Sequence, residues 1–222
     1  MNKKGIQKRR MMSYFIEATN EIIENEGIEA ITIRRVSDIA GYNSATLYNY
    51  FENLDHLVFF ASMKYLREYV LSLPKYLKNM KNPIDKYFCI WKYFCYHSFR
   101  KPKIYYTIFF DKFSRSLNDD IKEYYKIFPE ELGDQSMDLL PMLLGQNIYD
   151  RNRAILKSSI SELLVQEEDL EAINEMHLLI YRGMLSRVLN NQVDYTIDSA
   201  VDRTLFYMKQ TIASFTNNKL NP

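Results

Sequence analysis

The sequence contains little glycine, proline and cysteine. Its 222 residues include six Gly, six Pro and two Cys, and no stretch alternates apolar with polar residues as a half-buried strand would. Helix-favouring Leu, Ile, Lys, Glu and Met are abundant instead. Since 47% of the residues are hydrophobic, the chain is long enough to bury a sizeable core. We therefore predict an all-α globular fold.

Residues that would carry catalytic or metal chemistry are also scarce. Cys89 and Cys95 would point to different faces of one helix, so they predict neither a disulfide nor a metal pair. The three histidines, His56, His97 and His177, lie far apart and lack the spacing of a metal site. The sequence has no nucleophile elbow, phosphate-binding glycine loop or ordered Ser/His/Asp set. We therefore expect a protein that is not an enzyme and that needs no metal or other cofactor.

The sequence lacks long apolar segments and an excess of charge. No uncharged apolar segment approaches the roughly 20 residues needed to cross a bilayer, and no apolar signal-peptide core follows the basic residues 1–10. We therefore expect a cytoplasmic protein. The net charge is +1, and residues 1–60 carry seven basic against eight acidic side chains. That balance excludes a uniformly basic N-terminal domain, although the bases are grouped in the first ten residues and at Arg34 and Arg35.

The stretch Ile31–Phe51 carries the clearest motif. Thr32 is a suitable N-cap for a short helix, and Gly41 supplies a left-handed exit from that helix. Asn43 can then cap a second helix that continues to the end of the stretch. Two short helices joined by a Gly-containing turn predict a helix-turn-helix.

Helical periodicity extends on both sides of this motif. It predicts a first helix over about Lys8–Glu26, and a long fourth helix that Asn53 caps and that ends near Pro74. Pro83 lies near the start of another helix, and a further one is predicted over about Tyr149–Leu164.

The order of residues around the motif resembles the TetR family of transcriptional regulators. The resemblance covers about Met11–Met63 and rests on Thr32, Ile33, Arg34, Ile39, Ala40, Gly41, Thr46, Leu47, Tyr48, Phe51 and Leu57. It implies an N-terminal three-helix helix-turn-helix DNA-binding domain over residues 1–53. A helical-bundle domain for ligand binding and dimerisation would follow over residues 54–222. Three residues depart from the family pattern. Leu54 stands where many members have Lys, Tyr42 where a small aliphatic residue is usual, and Tyr50 at a position that is often His.

The predicted DNA contacts follow from placing the second helix of the motif in the major groove. Ser44, Ala45 and Asn49 are the candidates for reading bases, through a hydroxyl, a methyl for thymine and an amide for adenine. The resemblance adds contacts to phosphate, to sugar and, at Arg34, to guanine. The complete predicted set is Thr32, Arg34, Arg35, Asn43, Ser44, Ala45, Thr46, Tyr48, Asn49 and Tyr50.

Aromatic side chains are unusually dense between Tyr87 and Tyr125. Any one of them is more simply explained as core, but together they exceed what a tight helical core prefers, which favours a cavity between helices. The family resemblance also implies a site for a small molecule, apolar or aromatic here. The predicted ligand-binding residues are Phe88, Trp91, Phe94, His97, Tyr105, Phe109, Tyr125, His177, Tyr181 and Met184.

The last two helices have sustained apolar stripes. Such stripes can cover the core of a monomer, but they also resemble the two helices through which TetR-family proteins form a four-helix dimer interface. The predicted dimer-interface residues are Ile173, Ile180, Val201, Leu205, Met208 and Ile212.

These inferences lead to one functional prediction. The chain is expected to be a ligand-responsive transcriptional regulator, and more specifically a repressor that binds an inverted-repeat DNA operator as a homodimer. The alternative is an all-α adaptor that uses the N-terminal motif for protein contact, without sequence-specific DNA binding.

Overall fold

The structure, a computed structural model, describes residues 3–110, 117–160 and 166–217. These ranges contain α-helices, two short 3-10 helices and no strand, which confirms the predicted all-α class. The N-terminal helices are α1 (Lys3–Glu26), α2 (Ile33–Ala40), α3 (Ser44–Leu47), α4 (Leu54–Met63) and α5 (Arg67–Leu77). The central ones are α6 (Pro83–Arg100), α7 (Pro102–Phe110), α8 (Leu117–Ile127), α9 (Pro129–Leu132) and α10 (Leu140–Leu143). The last three are α11 (Ile148–Ile160), α12 (Glu167–Leu189) and α13 (Ile197–Asn217).

Several helix ends follow from their capping residues. Gly27 ends α1 with a φ of 90°, as predicted. Asn82 caps α6 by accepting a hydrogen bond from the backbone N–H of Ile84 (2.9 Å), and Pro83 is its first residue. The helix predicted over Tyr149–Leu164 begins one residue earlier, and residues 161–164 lie outside the described ranges.

The predicted long fourth helix is instead divided in two. A 3-10 turn over Lys64–Leu66 separates α4 from α5, so the i→i−4 bonding is interrupted before Pro74 is reached. Pro74 lies inside α5 and has no N–H to donate to the carbonyl of Val70. The side chain of Gln135 supplies that bond from Nε2 (3.1 Å), which explains why the helix continues past the proline.

The chain divides into two compact units. Unit 1 comprises Met1–Glu68 and Lys103–Gly133, and unit 2 comprises Tyr69–Pro102 and Asp134–Pro222. The predicted DNA-binding domain over residues 1–53 lies wholly in unit 1, whereas residues 54–222 contribute to both units. The functional division at residue 53 stays a prediction.

Unit 1 has an aromatic core beneath the helix-turn-helix. Phe15, Phe51 and Phe60 are fully buried, and their rings meet edge to face at centroid distances of 6.3 Å for Phe15–Phe51 and 5.8 Å for Phe51–Phe60. Leu47 of α3 is also fully buried, so the short second helix of the motif is held on this core. Tyr124 of α8 extends the cluster, 5.7 Å from Phe60.

Unit 2 is built around α6. This helix packs against α11, α12 and α13, and α12 packs along α13. Trp91, Phe94 and Phe99 of α6 all lie against Tyr181 of α12, with ring centroids 5.3, 5.2 and 6.0 Å away. The aromatic residues that the sequence concentrates in α6 therefore form part of the core of this unit.

Candidate DNA-binding face and ligand cavity

The turn between α2 and α3 is defined by one cap and one glycine. The Thr32 side chain accepts a hydrogen bond from the N–H three residues on (3.3 Å), which caps α2. At the other end Gly41 has a φ of 74°, and the N–H groups of Gly41 and Tyr42 donate to the carbonyls of Asp38 (3.3 Å) and Ser37 (2.9 Å). These two bonds are a Schellman motif, whose left-handed residue favours glycine. The predicted cap and exit are confirmed.

The second helix of the motif is shorter than predicted. Asn43 Oδ1 accepts hydrogen bonds from the N–H (2.8 Å) and the hydroxyl (3.0 Å) of Thr46, which confirms the predicted cap. After Leu47 the bonding is mixed. Asn49 N donates to Thr46 O (3.2 Å) and Tyr50 N to Leu47 O (3.0 Å), both i→i−3, whereas Phe51 N donates to Leu47 O (3.1 Å), i→i−4. The last turn is therefore partly tightened, as is common where aromatic residues and Asn weaken helix propensity.

The ten predicted DNA-binding residues all keep solvent-accessible surface. The exposed ones are Thr32, Arg34, Asn43, Ala45, Tyr48 and Asn49, and the half-buried ones are Arg35, Ser44, Thr46 and Tyr50. The hydrophobic residue between them, Leu47, is buried. The buried side chain of Leu47 thus anchors the short helix on the core, while the ten predicted DNA-binding residues stay accessible to a partner.

The two adjacent arginines of α2 have different surroundings. The Arg34 side chain is 91% exposed and approaches Asp38 at only 3.9 Å. Arg35 instead pairs with Glu26, lowering the pKa of that carboxyl, and donates from Nη1 to the carbonyl of Ala30 (3.1 Å). Arg35 therefore connects the end of α1 to α2. A phosphate that bound this guanidinium would compete with Glu26 and the carbonyl of Ala30.

Tyr42, which departs from the family pattern, has a packing role. Its ring lies 5.6 Å from Phe15 and 5.9 Å from Tyr14, both on α1, while 37% of the residue stays exposed. The extra aromatic ring thus ties the turn of the motif to α1. Sequence reasoning did not identify Tyr14, which directly precedes Phe15 in the predicted first helix.

Unit 2 contains a small cavity of about 30 Å³. It is lined by Tyr69, Ile90, Trp91, Phe94, Met142, Ile148, Arg151, Asn152 and Ile155. Two of the predicted ligand-binding residues, Trp91 and Phe94, are among them. A buried water needs about 10–15 Å³ of such cavity space, so the cavity in this conformation has room for about two water molecules.

A buried polar network borders the cavity. Asn152 Oδ1 accepts from Trp91 Nε1 (2.9 Å) and lies 3.0 Å from the Tyr87 hydroxyl, while Asn152 Nδ2 donates to Asn174 Oδ1 (2.8 Å). The same Tyr87 hydroxyl lies 2.6 Å from His177 Nδ1. His177 Nε2 faces the carbonyl of Met208 on α13 (3.0 Å). The network thus joins α6, α11, α12 and α13.

The contacts and the burial of His177 together indicate a neutral ring. The carbonyl of Met208 can only accept, so Nε2 carries a hydrogen, and in the neutral ring Nδ1 is then an acceptor for the Tyr87 hydroxyl, which also lies within donating distance of Asn152 Oδ1. Burial lowers the pKa of His177 to about 4, against a smaller opposing effect of the Met208 carbonyl. The neutral imidazole is therefore the form that the folded chain holds near pH 7. Burial likewise raises the pKa of Tyr87 well above its usual range, which keeps its hydroxyl as a donor.

The other predicted ligand-binding residues lie away from the cavity lining. In unit 2, Tyr181 packs behind Trp91 and Phe94, and His97 lies against Tyr69 (6.0 Å between ring centroids). Met184 Sδ accepts from the hydroxyl of Tyr195 (3.3 Å), and Phe88 lies under Lys209 Nζ (5.3 Å). The remaining three residues, Tyr105, Phe109 and Tyr125, belong to unit 1.

Sequence reasoning missed the two polar residues of the cavity wall, Arg151 and Asn152. Arg151 is 4% exposed and donates from Nη1 to the carbonyl of Leu143 (2.9 Å). A Cβ at Gly145 would come within 2.8 Å of Arg151 Cγ, so this glycine makes room for the arginine. The signal available in the sequence was their spacing. Arg151 and Asn152 lie on the same helical face as Ile148 and Ile155, which indicates that they point towards the core with them.

The six residues predicted for the dimer interface are mostly covered within one chain. Ile173 and Met208 have no exposed surface, Val201, Leu205 and Ile212 are buried, and Ile180 is half-buried. The same two helices expose other large apolar side chains, namely Met176, Leu179, Phe206 and Tyr207, at 41, 57, 56 and 42%. A second subunit on these helices would therefore meet this exposed set first.

Neither a membrane span nor a metal cluster occurs in residues 3–110, 117–160 and 166–217. No helix in those ranges is both long and apolar enough to cross a bilayer. No three His, Cys, Asp or Glu side chains there are grouped so that they could hold a metal ion.

Comparison with known proteins identifies the N-terminal segment. Residues 15–59 match the family model described as bacterial regulatory proteins, tetR family. A search of curated proteins finds no match. The family match lies inside the stretch on which the predicted resemblance rests and confirms it.

Solved structures resemble the fold over most of the chain. Thermus thermophilus FadR, a TetR-family transcriptional repressor in complex with lauroyl-CoA, is 13% identical with a TM-score of 0.56, over 90% of this chain and 94% of that one. Bacillus subtilis FadR in complex with stearoyl-CoA is 15% identical with a TM-score of 0.55, over 88% and 96%. RolR in complex with resorcinol is 12% identical with a TM-score of 0.53, over 97% and 96%. An N-terminal helix-turn-helix followed by a helical domain is thus confirmed as the fold.

Proposed function

We propose that this chain, which carries the N-terminal domain of the TetR family, is a DNA-binding transcriptional regulator whose operator affinity depends on a small molecule. The observation that carries the proposal is the capped helix-turn-helix, with Leu47 buried beneath it and ten accessible residues around it. In this proposal, residues 1–53 bind DNA, and residues 54–222 bind the ligand and the second subunit.

The DNA contacts proposed for the motif divide into two kinds. Ser44, Ala45 and Asn49 read base edges, and the exposed guanidinium of Arg34 reaches a guanine or a phosphate. Thr32, Asn43, Thr46, Tyr48 and Tyr50 set the register on phosphate and sugar. Arg35 is the least supported DNA contact in the set, because its guanidinium is already bonded to Glu26 and to the carbonyl of Ala30.

A dimer completes the proposal. Exposed Leu179 and Phe206 on the last two helices are large apolar side chains that a second copy would cover. Two recognition helices related by a two-fold axis would then require an inverted-repeat operator, with half-sites about 10 bp or a multiple apart. Because T. thermophilus FadR is a repressor, repression by occluding a promoter is the regulatory sense we propose.

The ligand site proposed for this chain is the cavity in unit 2. The similar structures hold acyl-CoAs or resorcinol, which supports a small-molecule site in the same kind of fold. A ligand shifts DNA affinity only if it binds one arrangement of the protein better than the other. Coupling of about 1–3 kcal/mol would change operator affinity roughly 5- to 150-fold, and DNA must change ligand affinity by the same factor.

The deciding experiment is an anisotropy titration of fluorescent duplexes tiled from the DNA upstream of the gene. Specific binding should weaken steeply with salt, because phosphate contacts release counterions. Arg34→Ala and Asn49→Ala should each weaken the specific complex by about 1–3 kcal/mol. Lys157→Ala is the matched control, since this exposed lysine lies on α11.

Two results would argue against the proposal. Equal affinity for every duplex, with or without salt, would favour an adaptor over a regulator. Unchanged specific affinity in both motif variants, with their helical content intact, would remove Arg34 and Asn49 from the readout.

A further inference from the structure

An open groove in unit 1 is lined mainly by basic side chains. It lies between the first turns of α1 and the helices α8 and α9. Four of its eight lining residues are basic, namely Lys8, Arg9, Lys122 and Lys126, and one, Glu123, is acidic. We propose that this groove binds the phosphate backbone of DNA beside the base pairs that the helix-turn-helix reads. This inference rests on the proposed function, because it adds contacts to that DNA complex.

Lys122 and Lys126 carry the charge that is still available in the groove. They lie four residues apart on α8, which places both side chains on one face of that helix. Both residues are exposed, and neither makes an ion pair with any residue that the structure describes. Because like charges at this spacing repel each other, an anion beside them is favourable. The ammonium groups can pair with phosphate oxygens as point charges.

Two ion pairs hold the first turns of α1 along the groove. Lys8 pairs with Glu123, and Arg9 pairs with Glu130 of α9. The Arg9 guanidinium also lies 5.6 Å from the centroid of the Phe128 ring. These contacts place α1 beside α8 and α9, and the two glutamates offset the charges of Lys8 and Arg9. The net positive charge of the groove is therefore that of the two unpaired lysines of α8.

The groove lies near the motif along α1. Phe15 of α1 packs against Tyr42 and Tyr50 of the motif, with ring centroids 5.6 and 6.5 Å away. Arg9 precedes Phe15 by six residues, which is about 9 Å along an α-helix. Successive phosphates of one DNA strand are about 3.4 Å apart along the duplex axis, so this distance corresponds to about three base-pair steps. A duplex bound to the motif can therefore continue past the groove.

The exposure of the groove favours DNA over a small ligand or an acidic protein. Its unpaired cations are exposed, so it lacks the enclosed walls that bury most of a small ligand. Ile127, the one large apolar residue in the described lining, is itself buried, so the groove lacks the apolar centre of a protein interface. Phosphate contacts need neither feature, because they are electrostatic and independent of sequence.

An anisotropy titration with two duplexes tests the contact. One duplex contains the specific site alone, and the other adds about five base pairs of arbitrary sequence on each side. The unmodified chain should bind the longer duplex more tightly and with a steeper salt dependence, because further phosphate contacts release further counterions. The sequence of the added base pairs should not matter, since phosphate contacts carry no sequence information.

A double variant tests the assigned residues, with a matched control. Lys122→Gln combined with Lys126→Gln removes both charges from exposed positions. This variant should bind the longer duplex roughly tenfold or more weakly at about 0.1 M salt, and the slope of log K against log salt should become shallower by about 2. Lys75→Gln combined with Lys78→Gln is the control, because it makes the same change in net charge at two exposed lysines of unit 2. Thermal melts establish that both variants are folded.

Several results would overturn the proposal. Equal affinity of the unmodified chain for the two duplexes would exclude the contact, as would an unchanged salt slope in the Lys122/Lys126 variant. An equal loss in the control variant would show an effect of net charge alone. Inorganic pyrophosphate and polyglutamate are titrated as well. If either binds the unmodified chain but not the Lys122/Lys126 variant, while DNA affinity is the same for both, the groove serves a small phosphate compound or an acidic protein instead.

The same titrations separate this inference from the proposed function. Asn49→Ala should lower the preference for the specific site and keep the gain from the added base pairs, because a base contact and a phosphate contact are independent. Specific binding without any gain from the added base pairs would overturn the groove and leave the regulator intact. No preference for any duplex would overturn both.

Discussion

Acidification should destabilise unit 2 through His177. In the folded chain this residue is neutral, has no exposed surface, donates from Nε2 to the Met208 carbonyl and accepts from Tyr87 at Nδ1. In the unfolded chain its pKa returns to about 6.5. The unfolded state therefore binds more protons than the folded state between pH 6.5 and the folded pKa of about 4.

The sign and size of the effect follow from that difference. Stability is fully present above pH 6.5 and is lost as the pH falls towards 4, by about 1.4 kcal/mol per pH unit and about 3 kcal/mol in total. Carboxylates with lowered pKa values, such as Glu26 and Asp138, also lose their contribution in acid, but only below about pH 4.5, near their unfolded values. Measurements between pH 7 and 5 therefore avoid most of the titration of those carboxylates, and His177 should contribute a loss of about 2 kcal/mol there.

The assay is chemical denaturation at several pH values, followed by the fluorescence of Trp91, which lies in the same unit as His177. His177→Gln is the informative variant, because Gln can still donate to the Met208 carbonyl but does not titrate. The variant should be less stable at pH 7 and should have a flatter pH dependence than the unmodified chain. Parallel curves for the two proteins between pH 7 and 5 would refute the reasoning.

Three further predictions concern packing, assembly and capping. Gly145→Ala should lower the free energy of unfolding by about 1–3 kcal/mol in denaturant, since the new Cβ meets a buried arginine, whereas Gly183→Ala on α12 has open space around it and should be neutral or stabilising. Leu179→Asp should give a folded monomer by light scattering, whereas Met208→Asp, at a fully buried position, should unfold the chain, as circular dichroism would report. Asn43→Ala should cost about 1 kcal/mol of stability in a thermal melt and should weaken operator binding, because the cap positions the second helix of the motif.

The helix-turn-helix was predictable because its determinants are local. Thr32, Gly41 and Asn43 act on backbone groups within a few residues of themselves, so their roles can be inferred from order alone. The length of the second helix was harder to predict, because the tightened turn after Leu47 depends on the low helix propensity of the residues there. The ion pair between Arg35 and Glu26 could not be predicted from the sequence either, because it requires the end of α1 to lie beside α2.

The cavity was predictable only in part because its lining is assembled from distant segments. Aromatic density identified Trp91 and Phe94 on α6, but the polar wall comes from α11, about sixty residues away. The same limit explains why several residues predicted for the dimer interface are covered within one chain. A stripe of apolar residues does not show whether it faces the chain's own core or a second subunit. Ile173 and Met208 face inward, while Leu179 and Phe206 on the same helices do not.

The polar network also determines which side of the cavity can yield. Asn152 is bonded to Trp91 and Asn174 and touches Tyr87, so moving it would break contacts with α6 and α12 at once. The opposite wall includes Met142 of α10, a helix of four residues. The Leu143 carbonyl on that helix is bonded to Arg151 Nη1 (2.9 Å), so a shift of α10 would break this bond as well. A ligand that enters the cavity is therefore expected to displace the unbranched, flexible side chain of Met142 before it displaces Asn152 or α10 itself.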